Sequence, residues 1–214
     1  NGSSNSSAVI YSGSTGSETG NVFTGNTIDQ GYYSVYFYGS STNHKLANYF
    51  VDNTISNFEY YGLYLYYNDS VRVIGNSTAN LATATTNYHL YMGYVAAGSR
   101  IENNIIVGSG SGSFYGMYLY YNNTSGTNPN IIANNFVSQI GNSMGTAYGI
   151  YSYYSNYLNI YNNSVNIAAG GATDGRAFYQ NSGTGNVNVV NNNLVNTSGG
   201  YAFYVSSAAV INIT

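Results

Sequence analysis

The chain contains no cysteine, no tryptophan and a single proline, and only 5% of its residues are charged. Without cysteine there are no disulfides and no thiol chemistry. Four of the 214 residues are basic and seven acidic, a formal net charge of −3. Nucleic-acid binding needs clustered Lys and Arg to displace counterions, so that function class is excluded. A polybasic membrane contact is excluded for the same reason. No apolar run approaches the ~20 residues of a membrane-spanning helix, so membrane insertion is not expected. The opening "NGSSNSSAVIYSG" has no Met and no signal-peptide pattern, which suits a processed product or an internal piece of a longer chain.

What fills the chain is equally uneven. Hydrophobic residues make up 43%, too many for a disordered chain, and 27 residues are tyrosine. Asn, Ser, Thr and Gly take the places that Lys and Glu usually hold. That composition disfavours helices and favours strands and tight turns. Asn-x-Ser/Thr sequons occur at Asn1, Asn5, Asn68, Asn76, Asn122, Asn123, Asn162, Asn196 and Asn212, a number such a composition yields by chance. The charge-poor surface points to an extracellular or cell-surface protein rather than a cytosolic enzyme.

Two markers recur along the whole chain. One is a turn: "GNTI", "DNTI", "GNST", "NNII", "NNFV", "NNSV" and "NNLV", with Asn second each time, at Asn26, Asn53, Asn76, Asn104, Asn135, Asn163 and Asn193. These lie 27, 23, 28, 31, 28 and 30 residues apart. The other is a tyrosine anchor at Tyr11, Tyr36, Tyr64, Tyr91, Tyr118, Tyr151, Tyr179 and Tyr204, with spacings of 25, 28, 27, 27, 33, 28 and 25. Between the markers the pattern is period two, that of a strand. Phe23, Phe50, Val73, Ile101, Ile132, Ile160 and Val190 precede the turn Asn by three. Ile28, Ile55, Thr78, Ile106, Val137, Val165 and Val195 follow it by two. Both columns are expected to point inward. Each repeat is then a short strand, an Asn turn, a second strand, a variable loop and the tyrosine strand. Three short strands cannot bury a core alone, so neighbouring repeats must stack, with equivalent strands about 4.8 Å apart.

This resembles a right-handed parallel β-helix, the fold of the pectate-lyase-like superfamily, and in composition the secreted surface proteins of bacteria. The reading is an all-β solenoid of seven to eight coils, as a single domain over 1–214. The resemblance implies that the turn Asn adopts the left-handed conformation and that its side chains stack as a ladder. An Asn amide can donate to one coil and accept from the other.

In the tyrosine strands the aliphatic residues alternate with Tyr: Val35 and Phe37 against Tyr36 and Tyr38, Leu63 and Leu65 against Tyr64 and Tyr66, Met117 and Leu119 against Tyr118 and Tyr120. With the aliphatic column in the core, the tyrosines face out. A partial second column follows at Tyr38, Tyr66, Tyr120 and Tyr153. Two roles fit these rings: a ladder that stabilises the sheet, or a contact face for a glycan, a protein or another copy. The Gly before several anchors, Gly62, Gly116 and Gly149, suits a tight turn into the strand.

The resemblance also implies a chemistry to look for, since relatives include lyases and hydrolases of acidic polysaccharides that use acidic clusters, often with calcium. The acids here are Glu18, Asp29, Asp52, Glu59, Asp69, Glu102 and Asp174, scattered along the chain. Neither a calcium site nor a carboxylate pair is evident, and His44 and His89 stand alone. No cofactor and no metal are expected. Arg72 and Arg100 fall four residues before consecutive turn Asn residues, with Glu102 nearby. They are the one candidate pair for a uronate, though stacked like charges need a counterion. The expected function is a non-catalytic extracellular stalk or fibre. Tyr36, Tyr64, Tyr66, Tyr91, Tyr118, Tyr120, Tyr151 and Tyr153 are its candidate contact residues. The alternative is a polysaccharide-binding or polysaccharide-degrading protein. Open strand edges at both ends would suit a slice of a longer stalk or a unit that stacks end to end.

Overall fold

The computed structural model describes residues 7–80, 84–140, 145–168, 174–207 and 210–214. The sequons at Asn1 and Asn5 and the first part of the 81–87 loop lie outside these. Among the described residues there is no helix, and strands form three parallel sheets of eight, eight and seven strands, stacked as a β-solenoid of about seven turns. The chain visits the sheets in rotation, and within each sheet strand order follows chain order. The first, the tyrosine sheet, runs from Ala8–Ser12 through Tyr33–Tyr38, Tyr61–Tyr66, Thr86–Gly93, Ser113–Tyr120, Thr146–Tyr153 and Asp174–Asn181 to Gly200–Val205. The second begins at Val22–Thr24 and the third at Thr27–Asp29. A small two-stranded pair, Lys45–Leu46 with Asn68–Asp69, bridges one connection between the first two sheets.

The core is the column set expected from period two. Phe50, Val73, Ile101, Ile132 and Ile160 of the second sheet meet Ile28, Ile55, Ile106, Val137 and Val165 of the third. Val35, Leu63, Leu90, Met117, Ile150 and Phe178 of the tyrosine sheet close the prism. Burying one such side chain is worth about 1.5–3 kcal/mol, and stacking lets every coil contribute several.

The asparagine ladder forms at the tight turn between the second and third sheets. Asn26, Asn53, Asn76, Asn104 and Asn135 each donate through their backbone N–H and side-chain Nδ2 to the Oδ1 of the next. Two expectations need correcting. The left-handed residue is the one before the ladder Asn: Gly25, Asp52, Gly75, Asn103, Asn134, Asn162 and Asn191, with φ between 53° and 69°. Gly, Asp and Asn are the residues that tolerate this region, so the turn needs one of them there and the ladder needs Asn next. The last ladder position is Asn192, not Asn193: Asn163 donates to Asn192 Oδ1 at 2.8 and 2.9 Å. Asn193 pairs with Ser164 and is exposed. In the run Asn191–Asn193 the motif fits at two registers, and a slip of one flips every side chain. Accordingly Val189 and Leu194, not Val190 and Val195, continue the inward columns, in register with Ile160 and Val165.

Candidate functional site

The eight anchor tyrosines form one column. Tyr11, Tyr36, Tyr64, Tyr91, Tyr118, Tyr151, Tyr179 and Tyr204 are in register from strand to strand. The residue before each belongs to the core or packs against it, so the column lies on the outer face. Tyr38, Tyr66, Tyr120 and Tyr153 form the second column, interrupted at Gly93. There the rings of Tyr66 and Tyr91 occupy the space a Cβ would need.

Sequence reasoning missed two further columns. Tyr33, Tyr61, Tyr88, Tyr115 and Tyr148 stand three residues before the anchors and are also in register. Strict alternation would send them inward. Instead each strand carries two consecutive buried residues, Ser34 and Val35, Gly62 and Leu63, His89 and Leu90, Gly116 and Met117 or Gly149 and Ile150. This repeated irregularity returns the earlier tyrosine to the outer face. The glycines therefore sit inside strands rather than in turns. A Cβ on Gly116 would come within 2.6 Å of Gly149 O and of Val137 Cγ1. The recurrent Tyr-x-x-Tyr spacing was the available signal. The other missed column is Tyr67, Tyr94, Tyr121 and Tyr154, all left-handed with φ of 49–54°, at the edge of the sheet.

Together the columns make a herringbone layer of phenols. Along a column the rings are mostly parallel: Tyr36–Tyr64 centroids are 5.3 Å apart at 8°, Tyr118–Tyr151 4.7 Å at 9°, and Tyr151–Tyr179 4.6 Å at 9°. Between the anchor column and the one before it they mostly meet edge to face, as Tyr61 meets Tyr64 at 4.9 Å and 69°, while Tyr36–Tyr38 and Tyr64–Tyr66 of the anchor and second columns lie parallel, at 9° and 5°. Opposite Gly93 the order changes, and Tyr91 turns to 80° against Tyr118. The layer shields itself: Tyr91 and Tyr151 are 9% exposed although they lie outside the core. Ring faces are spent on neighbouring rings, and edges and hydroxyls remain for the surroundings. Among the described residues no tyrosine hydroxyl is buried without a partner. Burial, reinforced by neighbouring phenols, pushes the Tyr33 hydroxyl up to about 12, and raises Tyr36, Tyr61, Tyr64 and Tyr118 as well.

Near the C-terminal end Arg176 takes a tyrosine's place in the column between Tyr148 and Tyr201. Its guanidinium lies 4.9, 4.3 and 4.5 Å from the ring centroids of Tyr148, Tyr179 and Tyr204. Asp174 holds it at 2.7 Å and also accepts from the Tyr148 hydroxyl. A planar, weakly hydrated cation can replace a ring in a stack; an ammonium could not.

The candidate arginine pair is in register, Arg72 beside Arg100. Arg100 is committed to Glu102 by two bonds of 2.7 and 2.6 Å, which raise its pKa. Arg72 has a buried Nη1 without a partner. The acids are spread over separate contacts: Glu18 with Lys45, Asp29 with Ser56 and Asn57, Asp69 with His44 at 2.8 Å, Asp174 with Arg176. Asp52 takes a left-handed turn position. Among the described residues no three of His, Asp and Glu come together as a metal site would require. Lys45 is wholly buried and donates to Gly13 O and Gly16 O as well as to Glu18. His89 is wholly buried between the rings of Phe58 and Phe114, its Nδ1 2.8 Å from Thr78 Oγ1. Burial lowers its pKa to about 3, so the imidazole is neutral. Three sequons are consumed by the fold: Asn68, Asn76 and Asn122 are buried with their amides bonded to backbone or ladder.

The fold and this face define a parallel β-solenoid bearing a phenol layer. No family model, no curated protein and no solved structure matches the chain. No helix among the described residues is long and apolar enough to cross a membrane.

Proposed function

We propose that this chain is a non-catalytic extracellular β-solenoid, serving as an adhesin stalk or structural fibre, with the tyrosine sheet as its contact face. The observation that carries this reading is the herringbone layer. A surface of ring edges and hydroxyls, repeating at strand spacing and carrying one Arg, matches another repetitive, uncharged surface: a polymer or a second copy. An active site for a charged polysaccharide would call for free carboxylates, and five of the seven acids are bonded to side chains of their own.

The test removes hydroxyls and keeps rings. Tyr64→Phe, Tyr118→Phe and Tyr153→Phe are combined, because truncation to Ser would also break the stack. Retention on immobilised polysaccharides and concentration-dependent sedimentation are compared with the parent chain. Weakened retention or self-association at unchanged melting temperature supports the contact face. Contacts that survive intact in the triple variant refute it, and release of new chain ends from a polysaccharide refutes the non-catalytic reading.

A further inference from the structure

The outermost tyrosine column stops abruptly, and a groove opens where it stops. Tyr67, Tyr94, Tyr121 and Tyr154 stack in sequence, Tyr67–Tyr94 at 5.0 Å, Tyr94–Tyr121 at 5.5 Å and Tyr121–Tyr154 at 4.9 Å, with planes within 22°. His44 covers the first ring at 5.0 Å. At the other end the next left-handed position is Ser182, φ 62°, and its hydroxyl accepts from Ser207 at 3.0 Å. No ring follows Tyr154, which is 40% exposed while the tyrosines before it are partly buried. The groove in front of it has a volume of about 430 Å³ and is lined by Tyr121, Tyr154, Asn123, Asn156, Ser182 and Ser207 among others. That lies within the ~300–1,000 Å³ of small-ligand sites.

The lining is selective in kind. It contains no charged side chain. Asn156 is fixed from three directions: Oδ1 accepts from the N–H of Thr184 at 2.6 Å and of Gly185 at 2.8 Å, and Nδ2 donates to Asn123 Oδ1. Fixing Asn156 in turn orients the Asn123 amide, whose Nδ2 has no partner among the described residues. An uncovered aromatic face beside preset amide and hydroxyl groups complements one chemistry above others: a ring with an apolar C–H face and a hydroxyl rim.

We propose that this groove binds an uncharged saccharide ring, stacked on the free face of Tyr154 and hydrogen-bonded by Asn123, Ser182 and Ser207. The site adjoins the contact face, the ring of Tyr153 meeting that of Tyr154 at 4.7 Å, but the groups it uses, the free face of Tyr154 and the polar atoms of Asn123, Ser182 and Ser207, are not those of the contact face. A uronate would bring a carboxylate to a groove with no cation, so neutral sugars are favoured over acidic ones.

The probes are hexasaccharides of glucose, mannose and galactose, with a galacturonate hexamer as the charged arm, followed by titration calorimetry and saturation-transfer NMR. Saturable binding of at least one neutral probe is expected. Ser182→Tyr would extend the stack by one ring in a backbone conformation that four tyrosines already adopt, covering Tyr154. It should weaken binding about tenfold or more without loss of stability. Tyr154→Ser should do the same from the other side, and Asn123→Ala removes the free amide without touching a ring. The triple Tyr→Phe variant of the contact face should bind the probes normally, so failure of one proposal is distinguishable from failure of the other. No saturable neutral binding, tighter binding of galacturonate, or binding indifferent to all three groove variants would each overturn the proposal. The last two would locate recognition elsewhere, and the first would leave the free ring face to an aromatic group of another protein.

Discussion

Removing one interior rung of the asparagine ladder should cost far more than its single side chain suggests. Asn104 is 2% exposed and takes part in four side-chain bonds. Its Nδ2 donates to Val73 O at 2.8 Å and to Asn135 Oδ1 at 2.9 Å; its Oδ1 accepts from Asn76 N at 2.9 Å and Asn76 Nδ2 at 3.1 Å. Asn104→Ala leaves the Asn76 backbone N–H without its acceptor, while Asn76 Nδ2 keeps Phe50 O and Ile74 O, at a site closed to water by Asn76 and Asn135, each 1% exposed. The orphaned N–H costs about 1–3 kcal/mol and the lost bonds to Val73 O and Asn135 Oδ1 about 1 kcal/mol more, so the substitution should destabilise by about 3 kcal/mol. Asn193→Ala is the internal control, because that side chain is exposed and outside the ladder, and it should stay within about 0.5 kcal/mol of the parent. Urea denaturation reads the difference as a lower midpoint at unchanged slope. A loss below about 1 kcal/mol for Asn104→Ala would refute the ladder as a stabilising device. A loss at Asn193 equal to that at Asn192 would refute the register drawn here.

Three other outcomes are expected. His89 has its pKa lowered by burial to about 3, so the unfolded chain binds a proton below its ordinary value and the folded chain does not. Stability is therefore lost as pH falls from about 6.5, by about 2 kcal/mol at pH 5. A His89→Gln variant should lack that increment in acid denaturation curves, and parallel curves would contradict it. At the alkaline end, phenols raised by burial stabilise the fold below their unfolded pKa near 10 and lose that stabilisation as pH rises through the folded values. Tyrosinate absorbance should show Tyr33 and Tyr151, both pushed up to about 12, ionising well above the ordinary tyrosine value, with the most buried rings ionising only on unfolding; a single transition near 10 would contradict the layer. Gly116→Ala puts a methyl 2.6 Å from backbone and side chain alike, and should cost about 1–3 kcal/mol in thermal or urea denaturation, whereas a neutral result would mean that the strand irregularity relaxes easily.

The solenoid was legible because its two markers are local and repeated. The tyrosine anchors fall in register on all eight strands, since a Tyr preceded each time by an apolar residue admits a single placement in a period-two strand. The ladder was legible up to Asn163 and failed at Asn191–Asn193, where three identical residues carry no register information. The columns of Tyr33 and Tyr61 were hidden because two consecutive inward residues break the alternation on which the reading relied. The residue at the break varies, Ser34, Gly62, His89, Gly116, Gly149 and Ala177, so only the Tyr-x-x-Tyr spacing around it announces it. The groove beside Tyr154 was beyond sequence reasoning, for it exists through what fails to follow Tyr154 in the next coil. Lys45 and His89 are wholly buried and nothing local in the sequence marks them so: Lys45 is bonded to groups 27 or more residues away, and His89 meets Thr78 through Nδ1 while its Nε2 has no partner.

The three sheets also make the protein mechanically anisotropic. The covalent chain runs around the solenoid, and the bonds between coils run along it. A force pulling the first and last coils apart along the axis meets only hydrogen bonds, ring stacks and core contacts, loaded in series, so coils should peel away one after another at modest force. A force directed across the axis meets the backbones of several coils in parallel and should be borne much more stiffly. The direction in which such a rod is tethered, more than the sum of its contacts, would then decide the load it can carry.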